Sequence, residues 1–254
     1  MSARIVWKWT ALALLAAACG RDGSRRESEK GMRDTGQSAG DTTSSGRTEA
    51  GASGAAASAS TKDARKTILF VGTSLTAGYG IDPQQAYPAL IQRRLDSLGL
   101  NYEAVNAGVS GETSSGALHR MPWLLKQPFD VFVLETGAND GLRGLPVDSL
   151  RANIQQILDD VKRTHPEAKI LLVGMEALPN MGRAYVKGFQ TVYPQLAKKN
   201  RVAYLPFLLQ GVGGVDTLNQ QDMVHPNPRG AAIIAETVWG ALRGLLDAGA
   251  KTRA

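Results

Sequence analysis

Two spacings of hydrophobic residues alternate between Thr67 and Leu246. The first is the continuous apolar run. It occurs at Thr67 to Val71, Asp130 to Glu135 and Ile170 to Gly174, with more mixed stretches at Tyr102 to Val109 and Val202 to Leu208. Such runs predict strands, the purest of them covered on both faces. The second spacing is helical. Tyr87, Leu90, Ile91, Leu95 and Leu98 share one face, as do Leu150, Ile154, Ile157, Leu158 and Val161. Asp82, Pro83 and Gln85 read as the capped start of the first of these helices, and Gly99 as its stop. Further helices are expected over 113–126, 182–199 and 228–246, with Pro122 disturbing the first. Strand and helix in alternation predict an α/β fold: a five-stranded parallel sheet with helices on both faces, in one domain over 67–250.

Upstream of Thr67 the pattern fails. Trp9 to Ala18 is apolar but only ten residues long, and about 20 are needed to cross a bilayer. Arg4 and Lys8 precede it, and Ala16, Ala17 and Ala18 lead directly into Cys19. Residues 1–18 therefore read as a lipoprotein-type signal peptide, with Cys19 as the lipidation site. Ala16 stands where such signals more often carry Leu, so an ordinary small-residue cleavage site is the alternative. Residues 20–66 contain no Val, Ile, Leu, Phe, Tyr or Trp, and Gly, Ser and Ala contribute eight each. Such a composition cannot bury enough apolar surface to offset its ordering entropy. A disordered tether over 19–66 is expected, holding the domain off a membrane, with the outer membrane facing the periplasm as the expected location.

Charge and cysteine count then narrow the function classes. The chain has 29 Lys+Arg and 23 Asp+Glu, a net +6. The excess is spread over three segments, and the domain itself keeps only 18 against 16. No basic patch for nucleic acid is implied. One cysteine excludes an internal disulfide and a cysteine-rich zinc site.

In open parallel sheets, ligands sit beyond the carboxyl ends of the strands. Polar groups fall at those ends here: Ser74 after the first strand, Gly108 after the second, Asn139 after the third, and Asp222 with His225 before the last helix. A serine hydroxyl is a weak nucleophile that needs a neighbouring base. His225 supplies an imidazole, and Asp222, three residues earlier, can orient it. The Ser74 and Gly108 N–H groups and the Asn139 amide are candidate oxyanion donors. His165 is expected at a helix terminus, His119 in a structural or exposed position, and Glu135 in a buried hydrogen-bonding one. Competing signals are missing: no G-x-S-x-G, no phosphate loop, no dinucleotide fingerprint and no H-E-x-x-H.

Four blocks, Gly72–Gly80, the stretch around Gly108, Gly137–Asp140 and Asp222–Pro226, resemble those of the SGNH (GDSL) hydrolases. The nearer likeness is to the bacterial thioesterase I / lysophospholipase L1 / arylesterase subfamily. The resemblance covers about residues 67–246. It implies a three-layer, flavodoxin-like sheet, Ser74 as nucleophile, His225 as base, Asp222 as orienting acid, and an oxyanion hole from Ser74, Gly108 and Asn139. It implies no cofactor and no metal, a monomer, and a small acyl-ester or lysolipid substrate. Residues 141–146 read either as shaping an acyl groove or as a simple connecting loop. One position departs: the family usually has Asp before the nucleophile, and this chain has Thr73. Reduced activity, improved by Thr73→Asp, is the expectation from sequence. The alternatives are a carbohydrate O-deacetylase or acetyltransferase on the same fold, and a catalytically impaired, tethered binding protein.

Overall fold

A computed structural model describes residues 65–246 of the chain. The expected signal peptide, the lipidation site at Cys19 and nearly all of the expected tether lie outside the described residues. Five strands form one parallel sheet: β1 (Lys66–Gly72), β2 (Tyr102–Gly108), β3 (Val131–Glu135), β4 (Lys169–Val173) and β5 (Ala203–Leu205). Their order is β2-β1-β3-β4-β5, with every neighbouring pair parallel. The central strands are the apolar runs. Ile68, Phe70, Phe132, Val133, Leu171 and Leu172 have no exposed surface, as expected where helices cover both faces. Lys66, expected in the tether, already pairs in register with Tyr102, and Arg65 forms an ion pair with Asp96.

Helix α1 (Ser74–Ala77) is one turn long, and α2 (Tyr87–Ser97), α3 (Ser114–Leu124), α4 (Ala138–Leu142), α5 (Val147–Thr164), α6 (Arg183–Asn200) and α7 (Pro228–Leu242) follow. Packing of α2 on α7, and of α3, α5 and α6 in series, gives the two outer layers. Helix α5 carries the cleanest stripe: Leu150, Ile154, Ile157, Leu158 and Val161 are all fully buried.

Helix α7 ends at Leu242, short of the expected 246, and a 3-10 turn over Arg243–Leu245 follows it. Two other element boundaries differ from expectation because of a proline. Asp82 does cap, accepting the Gln84 N–H at 2.8 Å, but it caps a separate 3-10 turn, Pro83–Gln85. Ala86 is extended, and α2 starts at Tyr87 with Pro88 in its first turn. Proline disfavours helical geometry before it and is tolerated in a first turn, so Pro88 rather than Pro83 sets the start. Strand β5 stops at Leu205 instead of running to Leu208, because Pro206 has no N–H for the ladder. Pro122 lies inside α3.

The strand order reverses direction between β1 and β3. A crevice opens at such a reversal, beyond the carboxyl ends of the strands. Ser74 follows β1 and Asn139 follows β3, so both flank it.

Candidate active site

Strand β1 ends at Gly72 and the chain turns at once into α1. Thr73 is the N-cap, its Oγ1 accepting the Leu75 N–H at 3.4 Å. Gly78, in the left-handed region, closes the turn by donating to the Ser74 carbonyl at 3.0 Å. This fixes Ser74, 9% exposed, at the sheet edge.

The loop before α7 folds around its own aspartate. Asp222 Oδ1 accepts the Val224 and His225 N–H groups, both at 2.9 Å. Oδ2 is left facing His225 Nδ1 at 2.6 Å. On the other side of the ring, Nε2 lies 2.9 Å from Ser74 Oγ. A carboxylate can only accept, so the proton sits on Nδ1 and Nε2 is open to the serine hydroxyl. Partial burial works against the Asp222 charge. The His225 backbone and ring and the Val224 N–H outweigh it and hold the carboxyl below its ordinary value. The Tyr79 ring, half exposed, covers the imidazole at a centroid distance of 4.7 Å.

Two of the three expected oxyanion donors have the required N–H groups. Ser74 is the first residue of α1, where N–H groups have no intrahelical acceptor. Asn139 Nδ2 donates one hydrogen to the Glu112 carbonyl at 2.9 Å and keeps a second. The third differs from expectation. The Gly108 N–H is given to Asn106 Oδ1 at 2.9 Å, while Asn106 Nδ2 donates to the Thr76 carbonyl at 2.9 Å. Gly108 is a spacing residue: a Cβ there would stand 2.3 Å from the Ala77 nitrogen. Three residues on, Gly111 lies in the turn beside Glu112, the residue that holds Asn139. The Gly111 N–H makes no hydrogen bond among the described residues, and its carbonyl accepts from Arg143 Nη2 at 2.9 Å. Asn106 was the available signal, being an acceptor two residues ahead of the wrong glycine.

Asp140, 2% exposed, ties the third block to α3. It accepts the Ser114 N–H at 2.8 Å and the Ser114 hydroxyl at 2.5 Å. Leu142, 45% exposed, and Arg143 place the 141–146 segment beside the second-block loop. An open pocket lies on the His225 side of Ser74, walled by Leu75, Ile81, Tyr87 and Ile234. His165 ends α5 and stacks on Phe129 at 4.0 Å, while His119 is exposed. Among the described residues, no group of three or more His, Cys, Asp or Glu is arranged to hold a metal ion.

An arrangement of hydroxyl, imidazole and carboxylate in line can activate an oxygen nucleophile, and unpaired N–H groups at the same edge of the sheet can stabilise an oxyanion. Comparison with known proteins points the same way. Residues 70–233 match the GDSL-like Lipase/Acylhydrolase family. Esterase TesA of Pseudomonas aeruginosa is 40% identical over 184 residues, covering 72% of this chain and 90% of that one. The Thioesterase 1/protease 1/lysophospholipase L1 of Escherichia coli is 38% identical over 185 residues, covering 72% and 86%. Among solved structures, the psychrotrophic esterase EstA from Pseudoalteromonas sp., inhibited by monoethylphosphonate, superposes with a TM-score of 0.67 at 30% identity, covering 70% and 97%. With its sheet order, its four strand-end blocks and these relatives, the chain belongs to the GDSL-like lipase/acylhydrolase family of ester-bond hydrolases.

Proposed function

We propose that the chain is a serine esterase that cleaves carboxylic acyl esters through an acyl-enzyme on Ser74. The observation that carries this reading is the unbroken line from Asp222 Oδ2 to His225 Nδ1 and from His225 Nε2 to Ser74 Oγ. In the first half-reaction Ser74 Oγ attacks the ester carbonyl as His225 Nε2 takes its proton. The carbonyl oxygen becomes an oxyanion, for which we assign the Ser74 N–H, the second Asn139 N–H and the Gly111 N–H as donors. His225 then returns the proton to the departing alkoxide or thiolate. In the second half-reaction water attacks the acyl-serine, His225 takes the water proton, and the acid leaves as the Ser74 hydroxyl is restored.

Substrates of the lysophospholipid, aryl-ester or thioester type follow from the relatives' activities and from the apolar pocket wall. That wall, beside Ser74, suits an apolar group of the ester. Export and attachment to the membrane through a lipid on Cys19 complete the proposal. Turnover of p-nitrophenyl esters of increasing chain length, with fluorophosphonate labelling, tests the chemistry. Labelling that vanishes in Ser74→Ala is expected, and a Ser74→Ala protein with full turnover would refute it. A Cys19→Ser protein that still partitions with membranes would refute the anchor.

A further inference from the structure

Glu135 closes β3 with no exposed surface, directly beneath the nucleophile turn. Its Oε2 accepts the Thr73 N–H at 2.7 Å and the Thr76 hydroxyl at 2.9 Å. The Thr73 hydroxyl is 3.0 Å from both carboxyl oxygens. Thr76 Oγ1 also lies 2.9 Å from the Tyr87 hydroxyl. The donors thus come from both sides of Ser74. Gly72 completes the cradle, since a Cβ there would stand 2.7 Å from Glu135 Oε2 and 2.0 Å from Thr76 Oγ1. Burying a carboxyl this deeply is costly unless its hydrogen bonds are satisfied, and here they are satisfied by the turn that carries the nucleophile.

We propose that Glu135 is a positioning residue for ester hydrolysis: by binding Thr73 and Thr76 from below, it aims Ser74 Oγ at His225 and the Ser74 N–H at the oxyanion. The inference rests on Ser74 being the nucleophile. It also changes the meaning of Thr73. An aspartate at that position would set a second carboxyl within about 3 Å of Glu135, and two buried carboxyls so close share one proton because they cannot both ionise. The titratable groups that feel Glu135 are Tyr87 on α2 and Tyr193 on α6, both fully buried phenols. No Lys or Arg hydrogen-bonds to it among the described residues. Thr73 is therefore a donor matched to a single carboxyl, and Thr73→Asp, which puts an acceptor in its place, is expected to lower activity once the shared proton is lost.

The test uses the full chain carrying Glu135→Gln, Thr73→Val, Thr73→Asp, or Thr73→Asp with Glu135→Gln. The readouts are kcat and KM on p-nitrophenyl butyrate across pH, fluorophosphonate labelling, and thermal melting. Glu135→Gln is expected to lower kcat about 10–100-fold with KM unchanged, the size of a small misplacement of reacting groups. Thr73→Val keeps the N–H bond, loses the hydroxyl, and should lower kcat less; it carries the test should Glu135→Gln not fold. Thr73→Asp should lose activity as pH rises where wild type does not, and the double variant should regain the wild-type profile. Full kcat in both Glu135→Gln and Thr73→Val, or a wild-type pH profile in Thr73→Asp, overturns the inference while labelling leaves the nucleophile intact. Turnover by Ser74→Ala would instead overturn the nucleophile itself.

Discussion

Gln220 Nε2 donates to the Tyr79 carbonyl at 2.7 Å, tying the loop that carries the base to the turn that follows the nucleophile. The same nitrogen reaches the Pro226 carbonyl at 3.0 Å, and the Gln220 N–H donates to the His225 carbonyl at 2.7 Å. One side chain thus sets the spacing between Ser74 and His225 from outside the triad. Gln220→Ala is expected to lower kcat about 10–100-fold, the cost of loosening a reacting geometry. KM should change little. Gln220→Glu should be worse, because it turns an acceptor towards two carbonyls. Steady-state kinetics beside melting curves checks both, and unchanged kcat in Gln220→Glu would contradict the clamp.

Asn139 and Gly108 should fail differently. Asn139→Ala removes a side-chain donor and should cost about 10²–10³ in kcat, or 2.7–4 kcal/mol, with the fold intact. Gly108→Ala pushes a methyl into the α1 backbone and should cost roughly 1–3 kcal/mol of stability. Chemical denaturation and single-turnover kinetics on the two variants separate a lost donor from a lost fit.

Met223 sits at φ 58°, one of two non-glycine residues in the left-handed region among those described. It lies between Asp222 and His225, where the chain turns sharply. Left-handed backbone costs a side-chain-bearing residue about 1–2 kcal/mol, and glycine gives back about 0.5–1 in chain entropy. Met223→Gly should therefore raise stability by about 0.5–1 kcal/mol, with kcat retained. Urea unfolding is the measurement; a lower midpoint would mean that the methionine side chain contributes packing that outweighs the strain.

Glu135, buried, and Asp222, exposed, should act on stability in opposite pH ranges. Burial raises the Glu135 carboxyl above its ordinary 4.5, against the hydrogen bonds from Thr73 and Thr76. The folded chain then keeps a proton that the unfolded chain has released. The Glu135 contribution is complete below pH 4.5 and is lost as pH rises through the raised value. Wild type should therefore lose ground to Glu135→Gln on going from acid towards neutral pH. Asp222 is held below 3.8, so its contribution is present above that value and is lost only as pH falls further. Unfolding free energies of wild type, Glu135→Gln and Asp222→Asn measured over pH 3–8 check both signs.

Local chemistry was legible in the sequence wherever one segment decides it. The apolar runs of β1, β3 and β4 and the stripe of α5 depend on nearest-neighbour spacing, and they stand where the spacing puts them. Asp222 and His225 are readable because the loop that joins them is short enough to close on itself. What escaped depends on contacts across the fold. Whether Gly108 or Gly111 presents its N–H depends on Asn106 bridging to Thr76 in α1. That Glu135 meets Thr73 depends on β1 and β3 being neighbours, 62 residues apart in sequence. Gln220 and Tyr79 are separated by 141 residues. The α2 start is hidden for a smaller reason, two prolines five residues apart competing for one helix end.

Ser74 and His225 are 151 residues apart, the hydroxyl leaving the first strand and the imidazole preceding the last helix. The chain after β5 must travel back past β4 and β3 before α7 seats against α2. The serine therefore gains its base only when the loop before α7 has closed on the edge of β1, and a chain without that closure holds an ordinary hydroxyl. A covalent serine probe read against time after dilution from denaturant would, for the same reason, count only molecules in which the loop before α7 has met the edge of β1.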